Sequence, residues 1–207
     1  MKHKWDDIKW IFEPDGSLRD IYVQDITIRE WEKLIHHLNN NFILTFSGND
    51  KIDKKYVIDY LQDTGGEMEC KSLTIHLGQI KVNCYFFLSE QIEFDIEPKE
   101  IKSIEDFEQI GNFMTSISDI LQEQITLTAE SQPEFPLFKV DAKNGINKIL
   151  TEKEAKKLSG SSNSISNQIS TLKTTLKMKF FPKQFKEQIL ESANQKYKPT
   201  KKEKNVW

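Results

Sequence analysis

Apolar and polar positions along this chain follow two periods, and the switches between them mark its elements. Residues 8–13 (IKWIFE) read as a strand, and Pro14-Asp15-Gly16 follows as a tight-turn signal. In residues 18–26 (LRDIYVQDI), Ile21 and Val23 alternate with Tyr22 and Gln24, so the two segments are predicted to pair as a hairpin. Thr27 with Glu30 three residues on forms a capping-box signature, and Ile28, Trp31, Leu34, Ile35 and Leu38 then fall on one helical face. Asn39-Asn40-Asn41 is the expected end of that helix, and Phe42, Leu44 and Phe46 alternate as the next strand. A short helix is expected over residues 54–61, ending before Gly65-Gly66. Long strands are expected over 67–76 and 80–88, joined at Leu77-Gly78-Gln79. The second, containing CYFFL, is apolar on both sides and so central. Residues 91–96 form a further strand. Ser103 with Asp106 caps a helix striped by Ile104, Phe107, Ile110, Met114, Ile117 and Leu121, and Ile125 and Leu127 belong to a strand after it. This order predicts an α+β domain: a mainly antiparallel twisted sheet with two longer helices on one face, followed by a basic, partly helical C-terminal extension.

Charge divides the chain in the same place. Residues 1–150 hold 16 Lys and Arg against 27 Asp and Glu, a net of −11, and residues 151–207 hold 13 against 5, a net of +8. The whole carries only −3. The first part is expected to have a negative field that attracts cations and basic protein faces and repels nucleic acid. The two parts could equally attract one another. Residues 158–170 (LSGSSNSISNQIS) read as a flexible linker. Two regions follow: an acidic domain over 1–150, and an extension over 151–207. In the extension Thr151 and Glu154 cap a short helix over 152–158, and a second helix is expected over 183–193 before a disordered end. With no apolar run near 18 residues and a charged start, MKHKWDDIKW, a cytoplasmic protein without a membrane segment is expected.

Candidate chemistry is sparse. His36 and His37 are adjacent on a helix and point about 100° apart, which is poor spacing for joint metal ligation, and His3 and His76 have no partner at ligand spacing. Cys70 and Cys84 lie on strands that could be neighbours; two cysteines exclude a disulfide scaffold and a four-thiolate zinc site. There is no phosphate-cradling glycine loop and no nucleophile elbow. Catalytic, cofactor and metal residues are therefore expected to be none, and the chain is read as a non-enzyme.

The most telling segment is QIEFDIEPKEI. On a strand Ile92, Phe94 and Ile96 share one face, and Glu93, Asp95 and Glu97 the other, about 6.5–7 Å apart. Three carboxylates in a row repel. They mark either a solvated sheet face or charge-protected edge strand, or a docking face for a basic partner. Asp15 and Asp20 belong to a second acidic set around the first hairpin, and Tyr22 is an aromatic candidate for contact there. The partner-binding candidates are thus Glu93, Asp95, Glu97, Asp15, Asp20 and Tyr22. In the extension, lysines interleave with Phe180, Phe181 and Phe185, a composition that suits nucleic acid, but there is no arginine for base or bidentate phosphate contacts.

WDDIKWIFEPDGSLRDIYVQDITIREWEKLIHHLN resembles the start of small bacterial immunity proteins of polymorphic toxin systems. IEFDIEPKEIKSIEDFEQIGNFMTSISDILQEQITLTAE is similar to a later block of such proteins, and the resemblance covers residues 1–130. It implies a non-enzymatic inhibitor that binds a cognate toxin domain and blocks it, and transfers no binding residues. The basic extension departs from that pattern. An acidic surface would suit a nuclease toxin, whose active face is basic. The alternatives are a small-ligand-binding α+β module, nucleic-acid binding through the extension, or an unrecognised hydrolase, for which no motif speaks.

Overall fold

Alternating strands in this protein gather apolar side chains on one side of the sheet and polar ones on the other, and the fold follows from where those sides meet. The structure, a computed structural model, describes residues 4–143 and 145–159. Its elements are α1 (Trp5–Ile8), β1 (Arg19–Gln24), α2 (Ile28–Asn41), β2 (Ile43–Phe46), α3 (Lys54–Gln62), β3 (Leu73–Leu77), β4 (Ile80–Cys84), β5 (Gln91–Ile96), α4 (Ile104–Leu121), β6 (Ile125–Ala129), β7 (Pro136–Asp141), β8 (Gly145–Ile149) and α5 (Glu152–Ser159). The strands form one eight-stranded sheet in the order β2-β3-β4-β5-β1-β6-β7-β8. Every neighbouring pair is antiparallel. The chain is therefore α+β, as its pattern predicts. It divides into two units, Met1–Lys156 and Lys157–Trp207. The linker over 158–170, apart from its first two residues, and the helix over 183–193 lie outside the described residues.

One side of the sheet is apolar throughout: Leu44, Ile75, Val82, Phe94, Ile21, Leu127 and Phe138, one from each of β2, β3, β4, β5, β1, β6 and β7, are all buried. The two longer helices cover it. The α2 stripe of Trp31, Leu34, Ile35 and Leu38 is buried, and so is the α4 stripe of Phe107, Ile110, Met114, Ile117 and Leu121. Phe113 of α4 meets Phe94 of β5 edge-on at 5.4 Å, and Phe107 meets Phe138 of β7 at the same distance. Such contacts add to burial worth about 1.5–3 kcal/mol per large apolar side chain. Both helices start at the expected caps. Thr27 N–H donates to Glu30 Oε2 at 3.2 Å, and Ser103 Oγ accepts from Asp106 N–H at 3.2 Å. The cap at α5 is also as predicted, with Glu154 N–H donating to Thr151 Oγ1 at 3.2 Å.

Four expectations change. Residues 8–13 are not a strand: α1 runs into a 3-10 turn over Lys9–Phe12. Ile8, Ile11 and Phe12 are all buried, and that i, i+3, i+4 spacing puts them on one side only in a helical conformation. β1 consequently pairs with β5 and β6, and Pro14-Asp15-Gly16 leads into it without a hairpin. Arg19 closes the corner by donating from Nε to the Ile11 carbonyl at 2.7 Å and from Nη2 to the Glu13 carbonyl at 3.2 Å. Second, the strands expected over 67–76 and 80–88 shorten to Leu73–Leu77 and Ile80–Cys84. Phe86 sits at φ +55° and packs against Trp31 at 5.5 Å, so the backbone leaves the sheet there. Third, α2 ends at Asn41 as expected, but the strand after it begins at Ile43, because the Phe42 N–H closes the helix on the Leu38 carbonyl at 3.1 Å. Fourth, β7 and β8 extend the sheet where the sequence pattern predicts no strand. Among the described residues no helix is long and apolar enough to cross a membrane.

Candidate functional site

The opposite side of the sheet is polar, and its centre is a row assembled across strands. Register places Thr74 of β3 opposite Asn83 of β4, Asn83 opposite Asp95 of β5, Asp95 opposite Asp20 of β1, and Asp20 opposite Thr128 of β6. Hydrogen bonds run along it: Thr74 Oγ1 donates to Asn83 Oδ1 at 3.0 Å, and Asn83 Nδ2 to Asp95 Oδ1 at 2.9 Å. One step along, Tyr22 faces Glu93. The Tyr22 hydroxyl donates to Asp20 Oδ2 at 2.9 Å. That oxygen also accepts the Ser131 backbone N–H at 2.5 Å, from the turn after β6. Gln91 Nε2 donates to Glu93 Oε2 at 3.3 Å.

β5 lies inside the sheet, between β4 and β1, so the edge-strand reading of QIEFDIEPKEI does not apply. Ile92, Phe94 and Ile96 point into the core as predicted. Glu93 and Asp95 share the other side with Asp20 and Tyr22, which the cross-strand register brings together. Burial is deeper than a solvated face implies: Asp20 is 3% exposed, Tyr22 4% and Asp95 8%, while Glu93 is half-buried. Glu97 lies past the last paired residue, precedes a 3-10 turn, and binds Lys99 Nζ at 2.9 Å. Asp15 stands apart in the turn before β1, where its Oδ1 pairs with Arg19 Nη1 at 3.3 Å. Neither joins the cluster.

Electrostatics in the cluster follow from burial and like charge. Burial, with the charges of Glu130 and Asp95 added, pushes the Asp20 carboxyl up to about 6 against the pull of its two donors. Burial and the charges of Asp20 and Asp95 push Glu93 up to about 7. Asp95 is raised by burial and by Glu130. The Tyr22 phenol is raised by burial and by the charges of Asp20 and Glu93. No lysine or arginine pairs with Asp20, Glu93 or Asp95 among the described residues. Near neutral pH the group is thus a partly protonated carboxyl set, able to give or take a proton or to accept a cation's hydrogen bonds.

Thr74, Asn83, Thr128 and Ser131 escape the sequence reading. Alternation places the first three on a polar side, but only register unites them with Asp95 and Asp20. Other candidates resolve into structural roles. His37 Nε2 lies 3.3 Å from Ser116 Oγ, and burial lowers its pKa. His76 Nε2 lies 3.0 Å from Thr45 Oγ1. Cys84 is buried, which pushes its thiol up to about 12, and Cys70 is exposed outside the strands. Asp63, ahead of Gly65-Gly66, accepts the backbone N–H groups of Gly65, Gly66 and Met68 at 3.0, 3.1 and 2.8 Å, so that loop is folded around a carboxylate. Among the described residues no group of three or more His, Cys, Asp or Glu is placed to hold a metal ion. Neither a protein-family model, nor a curated protein, nor a solved structure matches this chain.

Proposed function

We propose that this chain is a non-enzymatic immunity protein that binds a bacterial toxin domain and neutralises it through the polar side of its sheet. The observation that carries this reading is the division of the sheet. Helices cover one side, and the other gathers Asp20, Glu93 and Asp95 with no cationic partner among the described residues. A lysine or arginine from a basic protein face would relieve that like-charge repulsion and gain charge-assisted hydrogen bonds. The net of −11 over residues 1–150 would steer such a face in and favour a nuclease as the toxin. Half-buried Glu93 is the first acid of the cluster to be met, and Glu97, paired with Lys99, lies just past the end of β5.

The test is co-expression with the C-terminal domain of a secreted protein encoded beside this gene. The expected result is rescue of growth and a one-to-one complex. Replacing Glu93, Asp95 and Glu97 together by Gln, Asn and Gln should weaken that complex at least about tenfold at low salt while the chain stays folded. Unchanged affinity would discard this face as the site, and a toxin that remains active against the intact chain would discard the inhibitor reading.

A further inference from the structure

The chain beyond β4 carries one residue too many for the strand it faces. Cys84 pairs with Phe94 and Leu88 with Gln91, so Tyr85, Phe86 and Phe87 stand against only Ile92 and Glu93. A bulge of this kind re-aims the side chains around it. Phe86, at φ +55°, turns its ring into the core against Trp31 and Phe46. Tyr85 and Phe87, on either side of it, stack on one another with ring centroids 5.4 Å apart and planes 15° apart. Alternation puts Tyr85 on the polar side of the sheet, because Asn83 bonds Asp95 there and Cys84 between them is buried. Tyr85 is half-buried, and Phe87 is 44% exposed.

The ring pair therefore borders the acids. Between the two flanking pairings Glu93 is the polar-side residue of β5 that faces it, and Asp95, opposite Asn83, is the next acid along that side. The charge of Asp95 also bears on the Tyr85 phenol. Lys71, whose neighbour Cys70 donates from Sγ to the Tyr85 carbonyl at 3.1 Å, holds its own ammonium over the Tyr56 ring at 3.5 Å.

We propose that the Tyr85–Phe87 ring pair and Glu93 together seat an arginine side chain of the partner protein. The proposal rests on the reading of this side of the sheet as a docking face, and adds which cation that face selects. A guanidinium is planar and weakly hydrated, stacks on aromatic faces, and keeps its N–H groups in its own plane. Laid against the rings, it turns its edge to Glu93, whose carboxylate accepts two parallel N–H bonds. Cross-strand neighbours stand about 4.5–5.5 Å apart at Cβ, a span that one guanidinium bridges. A lysine ammonium would meet the same carboxylate, but as a compact and strongly hydrated charge it gains less from the rings. The acids draw in any basic face, and the ring pair makes the choice among its cations. Aromatic anchors within a polar surround are also where interfaces concentrate their binding energy.

The test uses the full-length chain and two probes of equal charge, hexa-arginine and hexa-lysine peptides, at low salt and about pH 8, where Glu93, at about 7, is mostly ionised. NMR signals of the Tyr85 and Phe87 ring protons follow each titration. Hexa-arginine should bind at least about fivefold more tightly than hexa-lysine and shift both rings. Phe87→Leu, which changes no charge, should bring the two affinities within about twofold by weakening hexa-arginine alone. Glu93→Gln should weaken hexa-arginine at least about threefold. Equal wild-type affinities, ring signals that do not move, or a preference that survives Phe87→Leu would overturn the arginine seat, and the wild-type comparison decides it if a variant does not fold. The outcome separates from the co-expression result. A toxin neutralised by a chain with no arginine preference overturns the seat alone, and an arginine preference in a chain that leaves the toxin active overturns the inhibitor reading alone.

Discussion

Asp20 and Glu93 tie the protein's stability to pH through single side chains. Both carboxyls sit above their ordinary values in the folded chain, Asp20 at about 6 and Glu93 at about 7. The folded state therefore binds protons more tightly than the unfolded one. Their stabilising contribution is complete below about pH 4 and is lost as pH rises through about 6 and 7. Chemical denaturation should show a loss on the order of 2 kcal/mol from Asp20 alone between about pH 4 and about pH 8, and Asp20→Asn should flatten that slope. A second residue-scale prediction concerns Gln122, which ends α4 at φ +61°. Glycine adopts that conformation without a Cβ penalty, so Gln122→Gly should raise stability by about 0.5–1 kcal/mol and the melting temperature by about 2–4 °C. Phe86 at φ +55° is the contrary case, because its ring is wedged among Trp31 and Phe46 and packing outweighs the backbone cost.

At the scale of elements, α2 and α4 are the parts most legible in the sequence. Their caps and apolar stripes act within one or two turns, so neighbours in sequence suffice to specify them. Thr27→Ala should cost about 1 kcal/mol by opening the capping box. Trp31→Ala should cost about 3–5 kcal/mol, because Trp31 is fully buried, packs on Phe86, and donates Nε1–H to the Ser89 carbonyl at 3.1 Å. Thermal melts of the two variants check both. The N-terminal segment was harder to read because IKWIF is too short to separate a period of two from one of 3.6, and Arg19 then fixes the helical choice through carbonyls of residues 11 and 13. β8 was hidden because Gly145 opens it at φ +60° and its pairing depends on β7. It packs closely on α4, where a Cβ at Gly111 would come within 2.9 Å of Ile146 Cδ1.

For the whole molecule, charge is the property that reaches a partner. Association with the proposed basic toxin domain should slow as salt rises from about 0.05 to about 0.5 M, since the Debye length shrinks well below the size of the interface. Stopped-flow mixing would read that slope. The sequence by itself determined the α+β class, the helix caps, the apolar side of each recognised strand and the acidic excess of residues 1–150. All of these depend on residues a few positions apart or on simple counts. Only the tertiary structure decided that β1 inserts between β5 and β6, because strand pairing is a long-range choice that alternation leaves open. That choice sets Asp20 against Asp95 and Tyr22 against Glu93, withdraws acids that alternation alone would leave in solvent, and raises their pKa values together.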